Sequence, residues 1–99
     1  MPIRFIWDPA KAASNLNKHG VHFVHAATVL TDPLAITVFD AAHSLEEDRW
    51  FTLGMSHQRT LLAVAHTHTV DDDNHATVRL ISARPATRNE RKQYEHAPQ

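Results

Sequence analysis

The sequence predicts an α+β fold in the order β-α-α-β-β-β-β-α: an antiparallel β-sheet meander with two N-terminal helices and one C-terminal helix. Three observations carry this. Helix punctuation stands near both ends, as Asp8-Pro9 with Gly20 and as Thr87-x-x-Glu90. Between residues 35 and 83, strand-like runs follow one another through polar connections too short for a crossover helix. The chain has 99 residues with 42% hydrophobic content, which suits one folded domain over residues 1–99.

Ile3 to Trp7 alternates weakly and reads as the first strand. Asp8 can accept from the free amides of a helix start, and Pro9 suits its first turn. That helix carries Ala10, Ala12, Ala13 and Leu16 and ends at Lys18-His19, with Gly20 as its left-handed cap. Phe23, Ala26, Ala27 and Leu30 fall at helical spacing, so a second helix is expected over Phe23 to Leu30, closed by Asp32-Pro33. Ala35 to Phe39 is a strand, and Asp40 to Asp48 is a polar loop with room for one helical turn. Arg49 to Met55 is the next strand, and Ser56 to Thr60 turns the chain. Leu61 to Ala65 is continuously apolar, the pattern of a central strand covered on both faces. Thr69 to Asn74 is a loop, Thr77 to Ala83 is the last strand, and Pro85 is expected to interrupt pairing. The final helix runs from Arg88 to about His96 behind the Thr87–Glu90 capping box.

Composition narrows the function classes. There are no cysteines, so disulfides and thiolate metal sites play no part. No apolar run approaches a membrane span and no signal-peptide pattern is present, so a reducing cytoplasm without membrane attachment is expected. Ten lysines and arginines against 11 acids give a net charge of −1, which argues against a whole-surface field for nucleic acid. The charge is local instead. Arg79, Arg84, Arg88, Arg91 and Lys92 stand close in sequence with Glu90 alone among them, and Asp71-Asp72-Asp73 precedes them. The nine histidines include two possible ligand pairs, His66-x-His68 and His22-x-x-His25. Neither has a carboxylate at a recognisable zinc spacing, so no metal and no cofactor is expected.

Three stretches coincide with one family. Trp7-Asp8-Pro9-x-Lys11, Asn15-x-x-Lys18-His19-Gly20-Val21-x-Phe23, and Ile81-Ser82-Ala83-Arg84-x-Ala86-Thr87-x-x-Glu90-Arg91-x-x-Tyr94 closely resemble BrnT-type toxins, the toxin halves of bacterial type II toxin–antitoxin pairs. Arg49 to Gly54 matches a further family pattern. The resemblance implies a RelE-like fold and a metal-independent endoribonuclease that cleaves RNA and inhibits translation and growth. It also implies a cognate ribbon-helix-helix antitoxin, with operator DNA met only through that partner. Three departures stand out. His22-x-x-His25 replaces a Ser-x-x-Glu capping box, Pro85 replaces a common lysine, and the loop at Asp71-Asp72-Asp73 is longer and more acidic. The last two lower the positive potential expected around Arg84.

Metal-free cleavage needs a proton acceptor, a proton donor and fixed positive charge on the phosphorane. Arginine suits the last role, because its planar fork binds two phosphate oxygens at once. Arg88 and Arg91 are three apart on the final helix, with Lys92 close by, and Arg84 ends the preceding strand. A helix start also favours phosphate. The expected catalytic set is therefore Arg84, Arg88, Arg91, Tyr94 and His19, with Lys11, Lys18 and Lys92 on RNA. Plainer roles stand beside these. Arg91 can pair with Glu95, Tyr94 can pack its ring on the sheet, and His19 can cap its helix. Lys11 can be a surface lysine, Glu90 serves the capping box, and His66 reads as a hydrogen-bonded core histidine. Trp7, Trp50 and Phe51 suit an antitoxin interface or the core equally. Two other function classes stay open: a catalytically weak or inactive binding module acting as antitoxin partner and corepressor, and a small histidine-based metal sensor.

Overall fold

The structure is a computed structural model and describes residues 3–97. Helix α1, Pro9–His19, starts where the Asp8 carboxylate accepts the Ala10 amide at 3.1 Å. It stops at Gly20, whose φ of 71° is left-handed and whose amide donates to the Leu16 carbonyl at 2.8 Å. The second helix is shorter than its apolar spacing suggests. Helix α2 covers Phe23–Ala26, and the chain then tightens into a 3₁₀ turn over Ala27–Thr31. His22 offers no side-chain cap, and the Thr28 and Thr31 hydroxyls donate back to the His25 and Thr28 carbonyls at 2.6 and 2.7 Å. Both features weaken regular α-geometry. A 3₁₀ turn at Ala41–His43 is the regular piece of the loop that follows. Helix α3, Arg88–Glu95, opens on the expected capping box, with the Glu90 amide on the Thr87 hydroxyl at 3.2 Å and the Thr87 amide on the Glu90 carboxylate at 2.8 Å.

The strands are β1 Ile3–Ile6, β2 Ile36–Phe39, β3 Trp50–Met55, β4 Leu61–His66, β5 Thr69–Val70 and β6 Ala76–Pro85. They form one sheet in the order β1-β6-β4-β3-β2, with β5 also against β6. The meander β2-β3-β4-β6 is antiparallel as expected. Strand β1 differs, because it joins β6 in parallel, from Ile3 against Ala76 to Ile6 against Arg79. The expected loop from Thr69 contains β5, which turns the sequence before β6 into a hairpin. Pro85 does not interrupt pairing: it is the last residue of β6, in register with Leu62, and the Ala86 amide still donates to the Leu61 carbonyl at 3.0 Å. A strand end is where a proline's missing donor matters least.

Alternate residues of β4 serve two cores, as its continuous apolar sequence requires. Leu62 and Val64, with Val78, Leu80 and Ala83 of β6, pack under Val21, Phe23, Ala26, Ala27 and Val29. Leu61, Ala63 and Leu53 form a second cluster on the other face, where Phe51, Met55, Ala86 and Tyr94 join them. Helices α1 and α2 therefore cover one face of the sheet, and α3 covers part of the other. Gly54 lies where the 3₁₀ turn meets β3; a Cβ there would sit 2.8 Å from the Val29 side chain and 3.1 Å from that of Ala35.

Two features of β6 aim its C-terminal end. A register shift between Ala65 and His66 leaves Ile81 as an extra residue between Leu80 and Ser82. Before the bulge, Ala76, Val78 and Leu80 are buried; after it, Ala83 takes over, and Arg84 turns to the α3 face. Strand β1 ends opposite Arg79, so the backbone edge of β6 beyond that point lacks a strand partner. The buried Asn15 side chain fills the gap at Ala83. Its amide donates to the Ala83 carbonyl at 2.9 Å and the Val21 carbonyl at 3.0 Å, and its oxygen accepts the Ala83 amide at 3.0 Å.

Substituting Asn15→Ala strands the Ala83 backbone groups in a buried position and should cost about 3 kcal/mol of stability. Chemical denaturation measures it, and a loss below about 1 kcal/mol would show that the clamp is dispensable. Gly54→Ala should cost about 2 kcal/mol by overpacking against Val29, read in the same assay.

Candidate functional site

The segment from Arg84 to Tyr94 leaves the sheet at the end of β6 and returns across the α3 face. Arg84 lies over the Phe51 ring, 5.4 Å from its centroid. Its guanidinium fork is already filled, since it donates to both Glu90 carboxylate oxygens at 2.7 and 3.0 Å. Those hydrogen bonds raise the Arg84 pKa against the opposing effect of burial. They also hold Glu90 down at about 2, with the Thr87 amide assisting against desolvation. Glu90 is thus more than the cap its sequence position suggests: the same carboxylate starts the helix and neutralises Arg84.

Arg88 and Lys92 are exposed on α3 and have no ion-pair partner among the described residues. Arg91 pairs with Glu95 at 4.0 Å with both side chains more than half exposed, the pairing helical spacing allows. Such a contact contributes little and opens readily. Tyr94 points the other way. Its ring packs on the Leu53, Leu61 and Ala63 cluster, and its hydroxyl donates to the Asp32 carboxylate at 2.6 Å. Burial and the neighbouring carboxylate push the Tyr94 phenol up to about 12. The cations of α3 do not lower it, so a proton-accepting role at neutral pH is not open to it in this arrangement. Asp32 meets a desolvation penalty that would raise its pKa, yet donation from the Met55 amide, Tyr94 and the Leu34 amide holds it below the ordinary value. That carboxylate ties the end of the 3₁₀ turn to β3 and α3 together.

The remaining expected site residues lie elsewhere. Lys11 and Lys18 are exposed on α1, and His19 is half-buried on it. Helix α1 is on the opposite face of the sheet from α3, and no hydrogen bond or ion pair among the described residues joins these groups to the arginine segment. The basic run is further divided at Arg79, which pairs with Glu47 at the other end of β6. The acidic triplet is also remote. Asp71, Asp72 and Asp73 occupy the β5–β6 turn, ten residues of strand away from Pro85. At roughly 3.3 Å per residue that distance exceeds the physiological screening length of about 8 Å. The acidic loop therefore does not lower the potential at Arg84; Glu90 does.

Histidines and aromatic residues fall into distinct roles. His66 is a buried core residue, with Nε2 2.7 Å from the Thr52 hydroxyl and Nδ1 3.0 Å from the Thr67 carbonyl, so both ring nitrogens are engaged within the protein. Desolvation lowers its pKa. Asp71, Asp73 and His75 bring ligand atoms within 4.8 Å of one another, but all three are exposed, and Asp71 accepts the Asp73 and His75 amides in forming the turn. Trp7 packs edge-on against Phe23 with centroids 6.0 Å apart, and Trp50 against Phe39 at 5.1 Å. Sequence reasoning named Asn15 within a motif and Asp32 as a helix stop but gave neither its structural role, and it missed the pairing of Arg84 with Glu90. Asn15 had a signal, because it is a polar residue in line with Ala12 and His19 on the inner face of α1. Asp32 had none beyond its place before a proline.

A family model described as the ribonuclease toxin, BrnT, of type II toxin–antitoxin systems matches residues 7–90. The 1.1 Å crystal structure of the Brucella abortus ribonuclease toxin, BrnT, superposes with a TM-score of 0.60 at 24% identity, covering 89% of this chain and 100% of that one. That likeness is one of fold. No curated protein matches the chain.

The Glu90 carboxylate yields a pH prediction. Because folding lowers its pKa, the stability it contributes is present above its ordinary value of 4.5 and is lost as pH falls towards about 2. Glu90→Gln should flatten that part of the acid-unfolding profile, as followed by circular dichroism. An unchanged acid limb would mean that the Arg84 pair does not persist in solution.

Proposed function

Because the chain belongs to the BrnT family of ribonuclease toxins of type II toxin–antitoxin systems, we propose that it is a metal-independent endoribonuclease toxin, a single domain over residues 1–99, that inhibits translation and growth. The observation that carries this reading is Arg88, an exposed cation without an ion-pair partner among the described residues on the first turn of α3, the helix whose Glu90 holds the Arg84 fork. A phosphodiester meets Arg88 first. It then competes with Glu90 for the fork of Arg84, an exchange of one anion for another that leaves the arginine charge satisfied. Arg91 reaches the same phosphate by releasing Glu95, and Lys92 extends the contact along the backbone. Lys11, Lys18 and His19 meet flanking RNA from the other side of the sheet. Tyr94 places its ring and supports the helix.

A type II toxin has a cognate antitoxin. A ribbon-helix-helix partner that covers the α3 face with acidic or apolar groups would neutralise by occlusion and bring the complex to operator DNA. No helix among the described residues is long and apolar enough to cross a membrane, and the proposed place of action is the cytoplasm, where RNA is met.

A second reading has its own observation. The Arg84 fork is already occupied by Glu90, and such a protein could serve only as antitoxin partner and corepressor. Induction of this chain alone in a bacterium separates the two, since normal growth with soluble, folded protein favours the binding module. For the leading reading, purified protein should cleave RNA in EDTA, and Arg88→Ala should lower the rate by roughly a hundredfold without loss of fold. Cleavage at the wild-type rate by folded Arg88→Ala and Arg84→Ala would remove both arginines from the site; cleavage that requires added metal would remove the mechanism.

A further inference from the structure

Helix α3 covers only one end of its sheet face. Along that face, Leu53, Ala63 and Arg84 form one cross-strand row, and Val38, Phe51, Ala65 and Ser82 form the next. Ala86 and Tyr94 pack on the cluster of Leu53, Leu61 and Ala63. The second row is more open, with Val38 53% exposed and the other three half-buried. Farther along the same face stand two more arginines. Arg49 lies two residues before Phe51, and Arg79 lies between Val78 and Leu80, which are buried in the opposite core. Glu47 holds both, since it accepts from Arg79 and lies 3.8 Å from the Arg49 guanidinium. The Arg49 Nε is buried and finds no acceptor among the described residues, a condition that few buried donors keep.

We propose that this open half of the α3 face carries the RNA strand away from Arg88, and that Arg49 and Arg79 form a second phosphate subsite, closed at rest by Glu47. The inference rests on the ribonuclease reading above and extends its phosphate contact at Arg84 and Arg88 along the sheet. Three observations support it. The two ends are built alike: Glu90 fills the Arg84 fork, and Glu47, exposed on the β2–β3 loop, pairs with Arg79. Each carboxylate stands where phosphate oxygens bind an arginine. The spacing suits a strand rather than one anion, because Arg79 and Arg84 are five residues apart on β6, roughly 15 Å at strand rise. The floor between them suits a nucleotide. Ala65 and Ser82 are small, and the Phe51 ring, with the Arg84 guanidinium 5.4 Å from its centroid, offers a base an apolar and cationic surface. A protein partner finds less here, since an interface core asks for large apolar side chains and this row holds two, Val38 and Phe51.

Binding at this subsite is an exchange. A phosphate displaces Glu47 from Arg79, and the exposed carboxylate returns to water at little cost. Arg49 then supplies the Nε donor that Glu47 leaves unused. Glu47 sets a threshold for the exchange. A strand already held at Arg88 reaches the subsite at high effective concentration, whereas a free anion does not. No bond of the RNA is made or broken here; the subsite holds and directs the strand.

The full-length protein is titrated with a short end-labelled 2′-O-methyl RNA strand, which cannot be cut by 2′-oxygen attack, over a series of salt concentrations. Cleavage of the unmodified strand is followed alongside in EDTA. Arg49→Gln and Arg79→Gln should each weaken binding about tenfold and make the log–log salt slope shallower by about 0.7. Their loss in cleavage should sit in KM. Glu47→Gln should do the reverse, with tighter binding and a steeper slope, a gain that a merely structural ion pair would not give. Unchanged affinity in all three variants would overturn the inference, and wild-type cleavage would then leave the ribonuclease reading standing. Unchanged RNA affinity with a loosened antitoxin complex would assign the face to the protein partner and overturn the inference equally. Should an arginine variant fail to fold, Glu47→Gln decides, because that side chain is exposed. A wild type that shows these binding effects but cuts nothing would remove the ribonuclease reading and keep the strand-binding face.

Discussion

The carboxamide of Asn15 is the contact on which the placement of everything else depends. Strand β1 is too short to follow β6 to its end, and the exposed edge beyond Arg79 would leave buried backbone groups without partners. Asn15 replaces the missing strand by offering one donor group and one acceptor, the same complement as a peptide unit. It also holds Val21, the residue that follows the α1 cap, so one side chain sets both the exit of the first helix and the end of the last strand. Arg84 is the next residue along. An asparagine is well suited here because it is uncharged: a carboxylate could accept from Ala83 but not donate, and would carry a desolvation penalty.

The sheet then acts as a partition. Its two apolar faces need separate covers, and α1 and α2 take one while α3 takes the other. Groups that lie near each other in a motif can therefore be parted by the sheet's thickness. The bulge at Ile81 decides on which side Arg84 appears, since a period of two would otherwise have kept it in phase with Ala76, Val78 and Leu80. The charge that reaches the α3 face is smaller than the run of arginines suggests. Arg79 is spent on Glu47, and Arg84 on Glu90; Arg88 and Lys92 remain without an ion pair among the described residues. Positive charge that is already paired becomes useful to an RNA phosphate only by exchange, and an exchange of carboxylate for phosphate is mild because the guanidinium stays hydrogen-bonded throughout.

Much of the fold was legible because it is governed by local rules. Asp8, Pro9 and Gly20 bounded α1 and the Thr87–Glu90 box opened α3, each through hydrogen bonds that span only a few residues. The continuous apolar run of β4 announced cover on both faces, and His66 announced a satisfied core histidine. Less legible were the α2 helix, shortened where threonine hydroxyls compete for carbonyls, and Pro85, which pairs in register because it stands at a strand end rather than within one. The expected dampening by the acidic triplet failed for a simple reason: adjacency in sequence along a ten-residue strand is distance in space.

What the sequence alone determined was the class of fold, the caps, the family and the residues with the chemistry to meet a phosphate. All of these depend on residue identity within short windows or on motif order. What only the tertiary structure decided was which of those residues share a surface. The parallel seating of β1, the Asn15 clamp, the bulge at Ile81, the Asp32–Tyr94 bond and the filling of the Arg84 fork each join segments by packing or register, and none leaves a local mark. The same holds for the hollow of about 330 Å³ lined by His22, His25, Ser56 and Gln58. Its two walls come from segments some thirty residues apart, as the 33-residue separation of His25 and Gln58 shows, and only the folded sheet brings them together.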